Sequence, residues 1–162
     1  MPRKVCPAAI AIIKVAESCR LRAYPDPGSG GDPWTIGYGA TRDRFGKEIH
    51  PGEQIMQSEA DWLFARDLAE FAGIVEGKLG TADTTANQFG AMVSLAYNIG
   101  IGNFRESSVL RFHLAGDHHD AAEAFGAWDK ADGHVLPGLV ARRAAESRLY
   151  LTPDGASDAE RP

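Results

Sequence analysis

Cysteine is scarce in this chain, with two among 162 residues, and no long hydrophobic run occurs. If the segment between Cys6 and Cys19 is helical, at about 1.5 Å per residue, the two thiols stand about 20 Å apart, far beyond disulfide reach. They read as reduced thiols, consistent with synthesis in a cytoplasm. The longest apolar stretch runs from Val5 to Ile13 and ends at Lys14. That is well short of the roughly 20 residues a membrane-spanning helix needs, so no stable membrane insertion is expected. Arg3-Lys4 ahead of VCPAAIAII mimics the charged and apolar parts of a signal peptide. Cleavage near Ala16 would destroy the first helix argued for below, so no cleaved leader is expected. The absence of any repeat of 20 to 50 residues excludes solenoids and arrays. No spacing matches a zinc site, and DPGSGGD lacks the acidic pattern of an EF-hand loop. The His-rich GDHHDAA, residues 116–122, places Asp117 and Asp120 beside two histidines, but helix-start polarity with Asp117 as N-cap explains it better. No metal or cofactor is expected.

What the chain does contain is ordinary for a soluble globular protein: 44% hydrophobic and 24% charged residues. Its length suits one domain, in one or two lobes. The net charge of −5 is unevenly placed. Residues 1–50 carry eight Lys or Arg against five Asp or Glu (+3), and residues 51–162 carry nine against seventeen (−8). A basic first third favours an anionic partner at that end and an activity that falls with salt. Nucleic-acid binding is not expected, because it normally shows a basic domain.

Pro7 suits a first helical position, and apolar residues continue through Ala16 and Leu21, which predicts a helix over 7–21. Residues 22–56 then alternate Gly, Pro and Asp with short aromatic and aliphatic runs, predicting a small sheet with turns at PDPGSGGDP and FGKE. Ser58 with Asp61 resembles a capping box opening a long helix over about 59–78, with Phe64, Leu68, Phe71 and Val75 at helical spacing. Thr85-Ala-Asn-Gln88 is a cleaner capping box, for a helix that Gly100 ends. Further helices are predicted near 107–115, with Gly116 as stop, then 118–130 and 138–151. The residues from Pro153 onward read as a frayed, polar tail. The fold class is α+β: residues 1–57 as a helix and small sheet, 58–79 as a long connecting helix, 80–152 as a helical lobe, and 153–162 as a flexible tail. Clefts between such lobes are common ligand sites.

Three residues carry the chemistry. Glu17 shares a helix face with Ile10, Ile13 and Leu21 in the predicted helix, and burial there favours the protonated acid, which can donate to a leaving group. Asp26 sits in a polar, Gly-rich turn that favours the ionised form. A carboxylic acid in an apolar setting and a carboxylate in a wet one make the pair that glycosidic cleavage uses. Thr35 belongs to TIGYG, one letter from the TVGYG of potassium-channel filters, but such a filter needs membrane-spanning helices that this chain lacks. In a strand, Thr35 points opposite Trp34 and Ile36, where its hydroxyl can hold a water. Gly37 and Gly39 leave room for a chain-like ligand against backbone.

The stretch ESCRLRAYPD, ending in Asp26, together with PWTIGYGAT resembles the catalytic signature of the phage-type lysozymes, glycoside hydrolase family 24. Residues 88–104, QFGAMVSLAYNIGIGNF, and 136–151, LPGLVARRAAESRLYL, resemble two further motifs of that family, so the likeness covers roughly residues 10–151. Two departures stand out. Eight residues, PGSGGDPW, separate Asp26 from Thr35 where many members have five, and they bring Asp32 as a rival to Asp26. Ala40 also stands where many relatives carry His.

The resemblance implies a lysozyme-like fold and hydrolysis of the β-1,4 bond between N-acetylmuramic acid and N-acetylglucosamine in peptidoglycan glycan strands. Glu17 is then the acid; Asp26 stabilises the oxocarbenium-like centre or activates water, and Thr35 orients that water. Carboxyl groups about 6.5–9.5 Å apart imply inversion, and about 5–5.5 Å retention. The resemblance also implies that Arg142 or Arg143 supports Glu17, that Asn98 lies in the cleft, and that Tyr24, Trp34 and Tyr38 are available to stack on sugars. It implies a monomer made in a host cytoplasm and released by a holin to act on the wall in the periplasm. Two alternatives stay open: a lytic transglycosylase on the same bond, and a non-catalytic wall-binding module.

Overall fold

The computed structural model describes residues 2–27 and 29–156. The chain is α+β, as expected, and divides into two compact units. One comprises Lys14–Glu70; the other joins the residues up to Ile13 with those from Phe71 onward.

In the first unit, helix α1 (Pro7–Glu17) delivers its last turn and stops at Glu17, four residues before the expected end. Ser18 takes a left-handed φ of 57° while its N–H still bonds the Lys14 carbonyl at 3.1 Å. Such a conformation is uncommon outside glycine and breaks the helix. The chain enters β1 (Arg20–Tyr24), which pairs antiparallel with β2 (Thr35–Gly37). Arg20 faces Gly37 and Tyr24 faces Thr35, with an irregularity between them. Leu21 is therefore a strand residue rather than part of Glu17's helix face.

Bridges Arg22↔Gln54, Trp34↔Ile49 and Arg42↔Glu48 extend this sheet. Ile36, Ala40, Ile49 and Leu63 form its core, with Ala23, Trp34 and Ile55 packed against them. The FGKE turn is built on Asp43, whose Oδ1 accepts the Phe45 and Lys47 N–H groups at 2.8 Å each. Those bonds, Lys47 foremost, hold its carboxyl below the usual range. Arg66 of α2 (Gln57–Leu79) fastens the turn by donating to the carbonyls of Asp43 and of Arg42, the latter at 3.0 Å. Ser58 lies inside α2 and not at its cap: the Met56 carbonyl already accepts the Glu59 and Ala60 N–H groups.

In the second unit, α3 (Ala86–Ile99) is buried continuously from Gln88 to Ala96. Its capping box is complete: Thr85 accepts from the Gln88 N–H at 3.1 Å, and the Gln88 side chain accepts from the Thr85 N–H at 2.9 Å. Gly90 lets α1 approach closely, since a Cβ there would lie 2.7 Å from Cys6 Sγ and 2.8 Å from the Ala9 Cβ. Helix α4 (Ile101–Glu106) follows Gly100, then α5 (Ser108–Ala115), which Gly116 ends at a left-handed φ of 82°. Helix α6 (His118–Ala124) starts after Asp117, whose side chain makes no capping bond.

The predicted 118–130 helix gives way to a 3₁₀ turn, Phe125–Trp128, and to a hairpin of β3 (Lys130–Ala131) and β4 (His134–Val135). Asp132 and Gly133 form its turn with φ of 49° and 77°, both positive as a two-residue hairpin of matching twist requires. The chain closes with α7 (Pro137–Leu151), which packs on α3. Arg3, read as part of a signal-like start, donates to Glu76 at 2.7 Å and to the Ala82 carbonyl at 3.0 Å. Asp154, within the expected tail, accepts the Ala86 and Asn87 N–H groups at 2.8 and 3.0 Å; residues 157–162 lie outside the described residues. No helix among the described residues is long and apolar enough to cross a membrane.

Candidate active site

The three sequence-predicted chemical residues sit on three consecutive pieces of the small unit. Glu17 is the last residue of α1, Asp26 follows β1 by two residues, and Thr35 opens β2. Tyr24 connects them. It is the Cα partner of Thr35, and its phenol lies within electrostatic range of both carboxylates. Burial pushes the Tyr24 hydroxyl above its ordinary value, Glu17 adds to that, Arg20 opposes it and Asp26 adds again. The Arg20 guanidinium stacks over the Tyr24 ring at 4.4 Å from its centroid, fixing the ring plane.

Glu17 is half-buried, less enclosed than its expected helix face suggested, because the helix stops and Leu21 turns away as a strand residue, 39% exposed. Asp26 is positioned by its own loop. Its N–H bonds the Gly31 carbonyl at 2.9 Å, its carbonyl accepts from Gly30 at 2.7 Å, and its Oδ2 accepts the Ser29 N–H at 2.9 Å. Ser29 Oγ then donates to the Asp32 carbonyl at 2.7 Å. The inserted residues thus close on themselves, so the longer loop leaves the strand that carries Thr35 in pairing register. Asp32 is exposed and is absent from the charges that act on Tyr24, which favours Asp26 as the second carboxylate. Thr35 is buried, and among the described residues its hydroxyl makes only a long 3.4 Å bond, to the Pro33 carbonyl. A better-placed acceptor, such as a water, can take that proton.

The supporting residues fall less evenly. Tyr38 packs on Phe64 at 5.2 Å, carries Lys14 Nζ 5.0 Å from its ring centroid, and accepts a bond from Gln57. Trp34 packs with Ile36 in the core, on the face opposite Thr35. Gly37 does not leave open space: a Cβ there would meet Ala60 at 3.5 Å and Ile55 at 3.7 Å, and its φ of 64° is itself a reason for glycine. In the helical unit, Asn98 is exposed in the last turn of α3, while the capping role belongs to Gly100.

Arg142 and Arg143 are both buried and converge on Glu146, a residue that the sequence reading passed over. Arg142 Nε and Arg143 Nη2 each donate to Glu146 Oε1 at 3.1 Å, and Ser94 Oγ donates to the same oxygen at 2.6 Å. Arg143 Nε lies 2.8 Å from Oε2 as an ion pair outside hydrogen-bond geometry. Arg142 also reaches the Ser94 carbonyl at 3.0 Å. Burial pushes the Glu146 carboxyl up, opposed by the two guanidiniums. The signal was present in the sequence, since the i,i+3 and i,i+4 spacing of R-R-x-x-E puts all three on one helix face.

A small antiparallel sheet with an acidic helix terminus and a helix-rich partner unit defines a lysozyme-like fold. The chain belongs to the phage lysozyme family, whose model matches residues 14–146. It is similar to an endolysin of Bacillus phage B103, 39% identical over 90% of this chain and 53% of that protein. The chain spans about half the length of the Bacillus phage endolysins it matches. Among solved structures, an endolysin from Escherichia coli O157:H7 phage FAHEc1 superposes with a TM-score of 0.80 at 32% identity, covering 98% of this chain and 96% of that one. The muramidase domain of SpmX from Asticaccaulis excentricus also superposes at 0.80, with 35% identity over 93% and 99% of the two chains.

Proposed function

We propose that the chain is a peptidoglycan muramidase of the endolysin kind, hydrolysing the β-1,4 bond between N-acetylmuramic acid and N-acetylglucosamine. The observation that carries this reading is the placement of Glu17, Asp26 and Thr35 around Tyr24, in the order and on the elements that the chemistry needs. The names borne by its relatives, endolysin and muramidase, support it. Glu17 protonates the glycosidic oxygen, and Asp26 stabilises the positive charge that develops at the anomeric carbon or activates the attacking water. Thr35 orients that water. Tyr24, whose hydroxyl is raised by burial and by the nearby carboxylates, stands beside them as a neutral group. Tyr38 contacts the glycan. The enzyme acts as a monomer on the cell wall, reaching it from the cytoplasm once a holin has opened the membrane.

Digestion of purified peptidoglycan by the wild type and by Glu17→Gln, with products identified by mass spectrometry, tests the reading. Reducing muramic-acid ends that vanish in the variant are expected. Anhydro-sugar ends would make the chain a transglycosylase, and binding without cleavage would make it a wall-binding module.

A further inference from the structure

The same small sheet carries a cavity of about 280 Å³, whose lining includes Asp32, Trp34, Thr41, Arg42, Glu48 and Ile49. Side chains alternate across a strand, and Trp34 packs with Ile36, so this cavity opens on the face away from Thr35. Its floor is apolar: the Trp34 indole beside Ile49, the residue Trp34 faces across the sheet. Its rim is polar and mixed, with the Thr41 hydroxyl and Arg42 guanidinium as donors and the Asp32 and Glu48 carboxylates as acceptors.

The groups on that rim are available. Among the described residues, no ring or cation stacks on the Trp34 indole. The Asp32 and Thr41 side chains make no hydrogen bond there either. Arg42 and Glu48 approach only to 3.9 Å, with their side chains 55% and 76% exposed, a loose pair that a ligand can enter.

We propose that this cavity is a second saccharide site, in which the C–H face of a neutral, N-acetylated pyranose lies on the Trp34 indole while the rim binds its hydroxyl and acetamido groups. An apolar floor ringed by both donors and acceptors suits a ring whose hydroxyls need each kind of partner. Two carboxylates against one guanidinium make the cavity net negative, which disfavours phosphate or the free carboxylates of a peptide stem. The site rests on the glycan-cleaving reading above. It gives that reading a second hold on the strand, so that the enzyme stays on its polymer between cleavage events.

The full chain carrying Glu17→Gln, which prevents turnover, is titrated with a peptide-free β-1,4-linked N-acetylglucosamine tetramer. The response is read from the ¹⁵N-labelled indole N–H resonances, that of Trp34 being assigned with Trp34→Phe. We expect the Trp34 indole and the Thr41 and Arg42 amides to shift and saturate together. In a Thr41→Ala, Arg42→Ala double variant, whose side chains are exposed enough to leave the fold intact, that titration weakens about tenfold. Lys78→Ala leaves it unchanged. A silent indole, a titration indifferent to the double variant, or a response to a free stem peptide and not to the sugar overturns the proposal. Peptidoglycan hydrolysis by the wild type is measured separately. Hydrolysis with a silent indole removes only the second site, and a shifted indole without hydrolysis removes only the muramidase reading.

Discussion

Tyr24 and Thr35 face each other across the β1–β2 pair, and the Tyr24 phenol feels both Glu17 and Asp26. One aromatic side chain is therefore close to Glu17, Asp26 and Thr35, although they are spread over 19 positions from 17 to 35. Because its hydroxyl is held above its usual titration range, Tyr24 stays protonated through neutral pH. Tyr24→Phe removes the hydroxyl and keeps the ring under Arg20. We expect kcat on peptidoglycan to fall about tenfold, equivalent to about 1.4 kcal/mol, with unfolding midpoints unchanged. An unchanged kcat would reduce Tyr24 to a packing residue.

Asp26 and Asp32 close the two ends of one hydrogen-bonded loop, but only Asp26 acts on Tyr24. Asp26→Asn should lower kcat at least about a hundredfold with the loop bonds retained, as loss of a carboxylate that works at the reacting centre does. Steady-state rates on soluble peptidoglycan fragments decide the matter. If Asp32→Asn costs more than Asp26→Asn, the two roles are reversed.

Local chemistry was legible in the sequence. Thr85 with Gln88, Gly100 and Gly116 all punctuate helices where their capping properties place them. The turn signal Asp132-Gly133 was equally readable, and a helix drawn through to residue 130 passed over it. What depends on distant partners was not readable. Ser18 leaves the helix because β1 has a partner in β2, and nothing in residues 7–21 states that pairing. Gly37 looked like space for a ligand because Ala60, 23 positions on, cannot be seen from TIGYG. Glu17, Asp26 and Thr35 were legible as residue types at a family's spacing, whereas the pairing of Tyr24 with Thr35 emerged only with the strand register.

Gly90 sits where α3 meets the start of α1, and a methyl group there would lie 2.7 Å from Cys6 Sγ and 2.8 Å from the Ala9 Cβ. The thiol can rotate away, but the Ala9 Cβ moves only with its backbone. Gly90→Ala gains helix propensity, worth about 1 kcal/mol, and still overpacks the contact. We expect a net loss of about 1–2 kcal/mol in urea unfolding. A stabilised variant would show that α1 can shift freely.

His113 is 2% exposed, bonded through Nε2 to Thr84 Oγ1 at 2.8 Å and through Nδ1 to Tyr150, with His118 stacked on it. Burial first, then His118 and Arg3, lower it from 6.5 to about 4, while Asp83 opposes them. Above pH 6.5 the imidazole is neutral both folded and unfolded, so it costs nothing. As pH falls from 6.5 towards 4 the unfolded chain takes up the proton and the folded one does not. Stability should then decline by up to about 3 kcal/mol from this residue, at about 1.4 kcal/mol per unit. Urea unfolding at pH 7, 5.5 and 4.5 should show a shallower decline for His113→Gln than for the wild type; equal slopes would refute the assignment.

Glu146 holds two buried guanidiniums and a buried hydroxyl on one carboxylate, enclosed between α7 and α3. Taking three such groups out of water is costly, and their mutual attraction offsets the cost only while all are present. Glu146→Gln keeps the shape but deletes the negative charge that Arg142 and Arg143 share here. We expect a loss of about 3–5 kcal/mol, enough to remove much of the stability of a domain this size. A Glu146→Leu, Arg143→Met pair, which replaces part of the cluster with apolar volume, should recover some of that loss in the same urea assay. If the pair is no more stable than Glu146→Gln alone, the penalty comes from packing and not from the lost carboxylate charge.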